Sequence, residues 1–248
     1  NLNGASLVGA DLSGVTLKGT DLSNTNLNDA NLTDVDLAEA NVTGAKMSRP
    51  TSEFPPDIQR MLESHFDWIE SDGKAGERAD LADSDIERID LPGEDLGGAV
   101  LHRTSMSGAN LASCRFVMSE MEHAFLVDAD LSDALLEGAN LQYADLRSAN
   151  LIGARLAAVN LKDVSGQETG RLWPANLTNA NLAGANMERA DLSNIRLTGA
   201  DLRGANLERA NLTNALLDGA RMEDAIREAV ALDETFDEDE LLNVTAAS

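Results

Sequence analysis

Leucine returns at every fifth residue along most of this chain. In ANLERANLTNALLDGA, residues 205–220, Leu207, Leu212 and Leu217 hold a large apolar position, and Ala205, Ala210 and Ala215 stand two residues ahead of each. Leu or a substitute keeps this position from Leu2 to Met47, from Leu81 to Leu161, and from Leu172 to Met222, giving 10, 17 and 11 units, 38 in all. The residue between Ala and Leu is usually Asp or Asn, so the unit reads A(D/N)LXX. An α-helix cannot use this spacing, because five residues advance roughly 500° and the leucines would spiral around the axis without forming a stripe. Extended chain can: residues two apart point the same way, so Ala and Leu face inward and the intervening Asp or Asn faces out. The step of three from Leu to the next Ala requires a corner. The residues that fill it, Ser13-Gly14, Ser23-Asn24, Thr213-Asn214 and Asp218-Gly219, have turn chemistry. The pattern therefore predicts an all-β solenoid filled by stacked Leu and Ala, each coil hydrogen-bonded to the next.

The stretch GANLQYADLRSANLIGARL, residues 138–156, resembles the pentapeptide repeat proteins, and the repeat covers roughly four fifths of the chain. The resemblance implies a right-handed quadrilateral β-helix with four units per coil. The recurrence of NMERA at 186–190 as NLERA twenty residues later agrees with it, and would stack Glu188 on Glu208 and Arg189 on Arg209. Stacked without interruption, the 38 units would make a rod on the order of 45 Å long at ~4.8 Å per coil.

Two interruptions and a tail organise the repeat into a first block at 1–47, an insertion at 48–76, a main block at 77–222 and a terminal segment at 223–248. In the insertion, Pro55 and Pro56 precede Asp57, a candidate N-cap. Ile58, Met61, Leu62, His65, Phe66 and Ile69 then share one side of a helix predicted over 57–71 that packs on or caps the solenoid. SGQETG at 165–170 shifts the register by one residue and predicts a small protruding loop near 162–171. No Lys-Ser/Thr follows it, which argues against a phosphate-binding loop. From 223 the sequence reads as a helical stretch to about 233 and then an acidic tail, the cap that the open strand edges of a solenoid end require.

Composition adds little chemistry. Hydrophobic residues make up 43% of the 248, enough for a real core, but aromatics only 3%, so that core is built from small uniform units. A single cysteine, Cys114, takes an inward Ala position; it excludes a disulfide framework and a Cys-based zinc site and fits a reducing, cytoplasmic setting, a processed or secreted form being also compatible. No run of 18 apolar residues is present to span a membrane. His102 and His123 fall at equivalent corner positions one coil apart and His65 on the helix, with no third ligand at their spacing. No P-loop, nucleophile elbow or basic stripe occurs. The reading is a protein that is not an enzyme and needs no cofactor or metal.

The net charge of −24 invites comparison with DNA, and among the proteins this chain resembles, quinolone-resistance and toxin-immunity members are DNA mimics that engage DNA gyrase. The charge is uneven, however: −4 over 1–47, −3 over 48–76, −9 over 77–161, 0 over 162–222 and −8 over 223–248. A duplex carries an even track of negative charge. Asp80, Asp85, Asp90 and Asp95 occupy four successive outward positions and, with Glu77, Asp83, Glu87 and Glu94, form a candidate acidic belt. CRFVMSEMEHAFLV leaves Val117, Met118, Phe125 and Val127 pointing outward, a candidate contact surface unless the inserted helix covers it. Phe66 and Ile69 of the helix, and Phe236, Leu241 and Leu242 of the tail, are further candidate contacts. The function expected is a structural or protein-interaction scaffold with a protein partner, with homodimeric or end-to-end association as a further possibility and no direct nucleic-acid binding. The alternative is a DNA-mimicking modulator of gyrase or another topoisomerase.

Overall fold

The computed structural model describes residues 1–28, 30–45, 47–228 and 230–231. Its main body is a β-helix in which parallel bridges join residues twenty apart, four five-residue units per coil: Asp80 to Val100, Val100 to Glu120, Glu120 to Asn140, and, past an insertion, Asn140 to Asn176, Asn176 to Arg196 and Arg196 to Leu216. Backbone bonds link each unit to its neighbours along the axis, and the second corner residue makes one of them, as Asp128 N–H does to the Arg147 carbonyl at 3.0 Å. The N–H of the central residue donates to the outward residue of the next coil, as Leu126 does to Asp145 at 2.7 Å, and the outward residue donates back to the preceding coil, as Asp145 does to Ala124 at 2.9 Å. The corner is closed locally, with the N–H of Ala129 reaching the carbonyl of Leu126 at 3.1 Å. The second corner residue has positive φ, as at Asp83 (59°), Met118 (59°) and Tyr143 (59°), the sign pattern of a type II turn.

The outward Asp or Asn has a structural duty that a merely solvated residue would not have. Its Oδ1 accepts the backbone N–H two residues on, bracing the corner: Asp130 from Ser132 at 3.1 Å, Asn181 from Ala183 at 3.2 Å, Asp95 from Gly97 at 2.8 Å. Where Asp and Asn alternate in one column, the amide also bonds the carboxylate above or below, as Asn150 to Asp130 at 2.9 Å and Asn211 to Asp191 at 3.1 Å. Like charges stacked at strand spacing would repel, and the alternation removes that repulsion.

Inside, Leu101, Leu126, Leu131, Leu146 and Leu182 and the alanines beside them are fully buried in one continuous core. Cys114 is buried among them, its thiol 2.6 Å from the Leu91 carbonyl and pushed up to about 12 by burial, a small core residue. Thr104 fills an Ala position by the same device, its hydroxyl donating to the Leu81 carbonyl at 2.7 Å.

The inserted helix, α1, spans Pro56–Glu70. Asp57 is not its cap: Pro55 holds the N-cap position with no side-chain bond, and Asp57 lies in the first turn, where a carboxylate opposes the helix dipole. The helix ends in a Schellman arrangement, with Asp72 at φ 54°, its N–H 3.2 Å from the Ile69 carbonyl, and Gly73 N–H 2.8 Å from the Trp68 carbonyl. Ile58 and Leu62, with Phe54 before the helix, are buried in the rod's core, and Met61 and Phe66 pack against it. The helix therefore closes the N-terminal end of the rod.

Three expectations change. The first block does not stack on the main rod, so the repeats do not form one 45 Å column. Leu17, Leu22 and Leu27 form a core of their own, with bridges from Ser6 to Asn26, Asp11 to Asn31 and Asp21 to Asn41. Among the described residues a single bridge, Arg49 to Ile89, carries the chain from this side onto the rod, whose end is already occupied by α1. Leu161 and Leu172 are not core residues: Val159–Lys162 (β1) and Glu168–Trp173 (β2) pair antiparallel as a projecting hairpin, larger than the loop expected. The described part of 223–231 is not helical, because Ile226 bridges to Asn206 and Ala231 to Asn211, and coil pairing overrides the helical propensity of its Ala, Glu and Arg residues.

Leu146 is completely buried. Leu146→Ala should cost about 2–5 kcal/mol in urea unfolding, and Leu146→Asp, which buries an unpaired carboxylate, should abolish the folded rod by circular dichroism. A folded Leu146→Asp protein would reverse the assignment of inside and outside.

Candidate functional site

The corners give the rod its surface chemistry, because each corner residue stacks on its equivalent one coil away. One column runs Asp83, Arg103, His123, Tyr143. Arg103 holds the Asp83 carboxylate through Nε at 2.5 Å and Nη2 at 2.6 Å, which lowers the Asp83 pKa from the usual carboxylate value. His123 stacks on Tyr143 with centroids 4.9 Å apart and planes 7° from parallel. His102 is not equivalent to His123, since twenty-one residues separate them and place His102 in the adjoining column. There its Nε2 lies 3.0 Å from Glu120 and its Nδ1 3.4 Å from Glu122. Arg78 reaches Glu120 at 3.2 Å and Asn140 donates to Glu122. Among the described residues no group of His, Cys, Asp and Glu is arranged to hold a metal ion.

The acidic belt forms the first coil under α1. Asp80 and Asp85 are exposed, and each braces its own corner, at 3.2 Å from the N–H groups of Ala82 and Glu87. Asp90 accepts from Asn110 at 2.6 Å, Asp95 from Arg115 at 2.8 Å, and Glu87 from the Ser105 hydroxyl at 2.7 Å. Farther along, Arg147 and Arg203 clamp Asp145 and Asp201 at 2.7 and 2.6 Å, and each carboxyl is held below its usual range chiefly by that hydrogen bond. The carboxylates serve turns and ion pairs.

The apolar candidates fall on separate surfaces. Val117 and Met118 stand at the corner after Phe116, whereas Phe125 and Val127 flank Leu126 on another side. Met118 is covered in part by the hairpin, not by α1. A side chain at Gly138 would strike Met118 Sδ at 2.6 Å, Val159 at 3.1 Å and Trp173 at 3.2 Å, so these three residues close over the glycine, whose φ of 68° also favours it. Val127 lines a groove of about 860 Å3 in which Thr43 and Met47 of the first block face Arg88, Asp128 and Ser148 of the rod. Phe125 remains 46% exposed, between Ser105 and Asp145. Phe66 is half-buried on the rod's core and Ile69 is half-buried. Phe236, Leu241 and Leu242 lie outside the described residues. Sequence reading missed Leu172 and Trp173, each 51% exposed, and Val164 at the hairpin tip, fully exposed. A fivefold period had assigned Leu172 to the core, and nothing local marks where the chain leaves the coil.

Gly138→Val should force the hairpin off its seat. Amides of 159–162 and 168–173 are then expected to exchange at least about tenfold faster, with those of Leu131 and Leu146 unchanged; equal protection would mean that the hairpin stands without this contact.

Several solved structures are similar to this chain. HetL, a pentapeptide repeat protein involved in heterocyst differentiation regulation from the cyanobacterium Nostoc sp. strain PCC 7120, is 26% identical, with 95% of this chain and 92% of HetL covered and a TM-score of 0.45. The trypsin-treated form of QnrB1, a plasmid-mediated fluoroquinolone resistance protein, is 20% identical over 68% of this chain and 93% of its own, with a TM-score of 0.34. A pentapeptide repeat protein of the Arabidopsis thaliana thylakoid lumen is 19% identical over 62% and 73%, with a TM-score of 0.26. No curated protein matches. The family model for pentapeptide repeats matches in 8 copies, over residues 1–29, 10–49, 79–116, 122–165, 175–214 and 195–226, well over half of the chain. With the fivefold period, the twenty-residue coil and this match in agreement, the chain belongs to the pentapeptide repeat family.

Proposed function

We propose that this protein is a non-catalytic interaction scaffold that works through side chains projecting from an otherwise self-contained rod. The observation that carries this reading is the hairpin Val159–Trp173. Val159 and Trp173 at its base close over Gly138 beside Met118, while Val164 is fully exposed and Leu172 and Trp173 are each 51% exposed. A two-stranded hairpin is marginal by itself in water, and exposed aromatic and aliphatic side chains on a projecting element are what a protein partner buries. Phe125 is a second contact on a different side. The lone buried thiol fits a cytoplasmic setting.

The alternative, mimicry of DNA toward a topoisomerase, calls for an even line of unpaired negative charge. It is weakened by the pairing of Asp83, Asp95, Asp145 and Asp201 with arginines and by the zero net charge of 162–222. Fields from the remaining carboxylates are screened within about 8 Å at physiological salt.

Titrating the full chain into a gyrase supercoiling assay at low and moderate salt is expected to leave activity unchanged. Potent inhibition abolished by Asp80/Asp85/Asp90/Asp95→Asn would overturn the scaffold reading. On that reading, Leu172→Ser and Phe125→Ser should each lower the affinity of a native protein partner about 5-fold or more, as truncating an interface anchor costs about 1 kcal/mol or more, without changing the thermal midpoint of the rod.

A further inference from the structure

The helix that closes the rod is fastened by a histidine whose surroundings favour the neutral ring. His65 is fully buried. Its Nδ1 accepts the backbone N–H of Ala79 at 3.1 Å, so that nitrogen carries a lone pair and the ring proton sits on Nε2. Nε2 is itself buried and has no hydrogen-bond partner among the described residues. The ring stacks on Trp68, centroids 5.6 Å apart, and lies on the helix face that buries Ile58 and Leu62 in the rod's first coil. A second proton would have to go on Nδ1, turning an acceptor into a donor aimed at another donor and placing a cation in an apolar layer.

We propose that His65 is a proton-operated latch: neutral, it holds α1 over the end of the rod; protonated, it releases the helix while the stacked coils persist. Burial, the largest effect, lowers the histidine's pKa from its ordinary value; Asp95 favours the cation through both its charge and its backbone carbonyl, and Arg78 opposes it. On α1 itself Glu63 and Asp67 are exposed and line an outer groove with Arg60, Glu77 and Asp80. A folded pKa below the ordinary ~6.5 means that the closed state binds fewer protons than the open one. Closure is therefore complete above about pH 6.5 and weakens about tenfold per pH unit below it, until the folded pKa is reached. Release would bare Leu81, Ile86 and the strand edge at Asp80 and Asp85. The carboxylates on that edge oppose pairing with another chain, as edge charges do, so the opened form can reclose.

The test is amide exchange of the full chain, corrected for intrinsic rates, at about pH 7.5 and about pH 5. Protection of 56–70 and of Ala79 should fall at least about twofold at the lower pH, with Leu126 and Leu146 unchanged, and His65→Gln, which offers Ala79 an untitratable carbonyl, should remove the pH dependence. Equal protection at both pH values, loss shared by the whole rod, or the same pH dependence in His65→Gln would each overturn the latch. If that variant does not fold, the imidazole of the native chain decides by NMR. An Nε2–H tautomer at about pH 7.5 that titrates together with the loss of protection supports the proposal. A ring already charged there, or titrating with no change in protection, refutes it.

Discussion

The backbone hydrogen bond from one coil to the next is the interaction on which everything else in this protein rests. It is made because every fifth residue turns a corner and returns the chain above itself after twenty residues, so that the Leu126 N–H finds the Asp145 carbonyl and its equivalents do the same along the rod. The inward Leu and Ala are the residues that fit a square interior of constant cross-section. A larger side chain is accommodated singly, as Phe116 is. All variation is displaced to the corners and to the outward position.

Such a ladder satisfies its own interior and leaves its ends unsatisfied. The insertion answers this at the N-terminal end of the main rod: Arg49 supplies one parallel bridge to Ile89, and α1 covers the first coil with Phe54, Ile58 and Leu62. The same occupation keeps the first block from stacking there, so the chain carries two β-helical cores where an unbroken count of repeats implies one. The hairpin is the other departure. It leaves the coil after Leu156 and returns before Ala175, with Asn140 and Asn176 still paired across the gap, so the rod passes it undisturbed.

The surface charge is arranged by the same geometry. Alternating Asp and Asn in a column turns a stack of like charges into amide–carboxylate bonds, as between Asn150 and Asp130, and corner arginines two residues on clamp other outward carboxylates, as Arg147 does Asp145 and Arg203 does Asp201. Among the described residues many of the acids are thus engaged locally, which separates this surface from a uniform polyanion.

The fivefold period, with Ala and Leu inward and Asp or Asn outward, determined the coil, its core and the corner chemistry, because each unit closes its own turn with its own residues and needs no distant partner to choose its shape. The helical face of Ile58, Leu62, His65 and Phe66 was legible for the same reason. Tertiary structure alone decided where the units go: that α1 plugs one end, that Leu161 and Leu172 leave the core for a hairpin, and that the residues after Met222 add to the coil where their composition favours a helix. It also decided that Met118 lies beneath Trp173 while Phe125 stays open, and that His65 meets the Ala79 amide. Those outcomes depend on which coil or strand is already in place to pair with, a competition between distant segments that no five-residue pattern records.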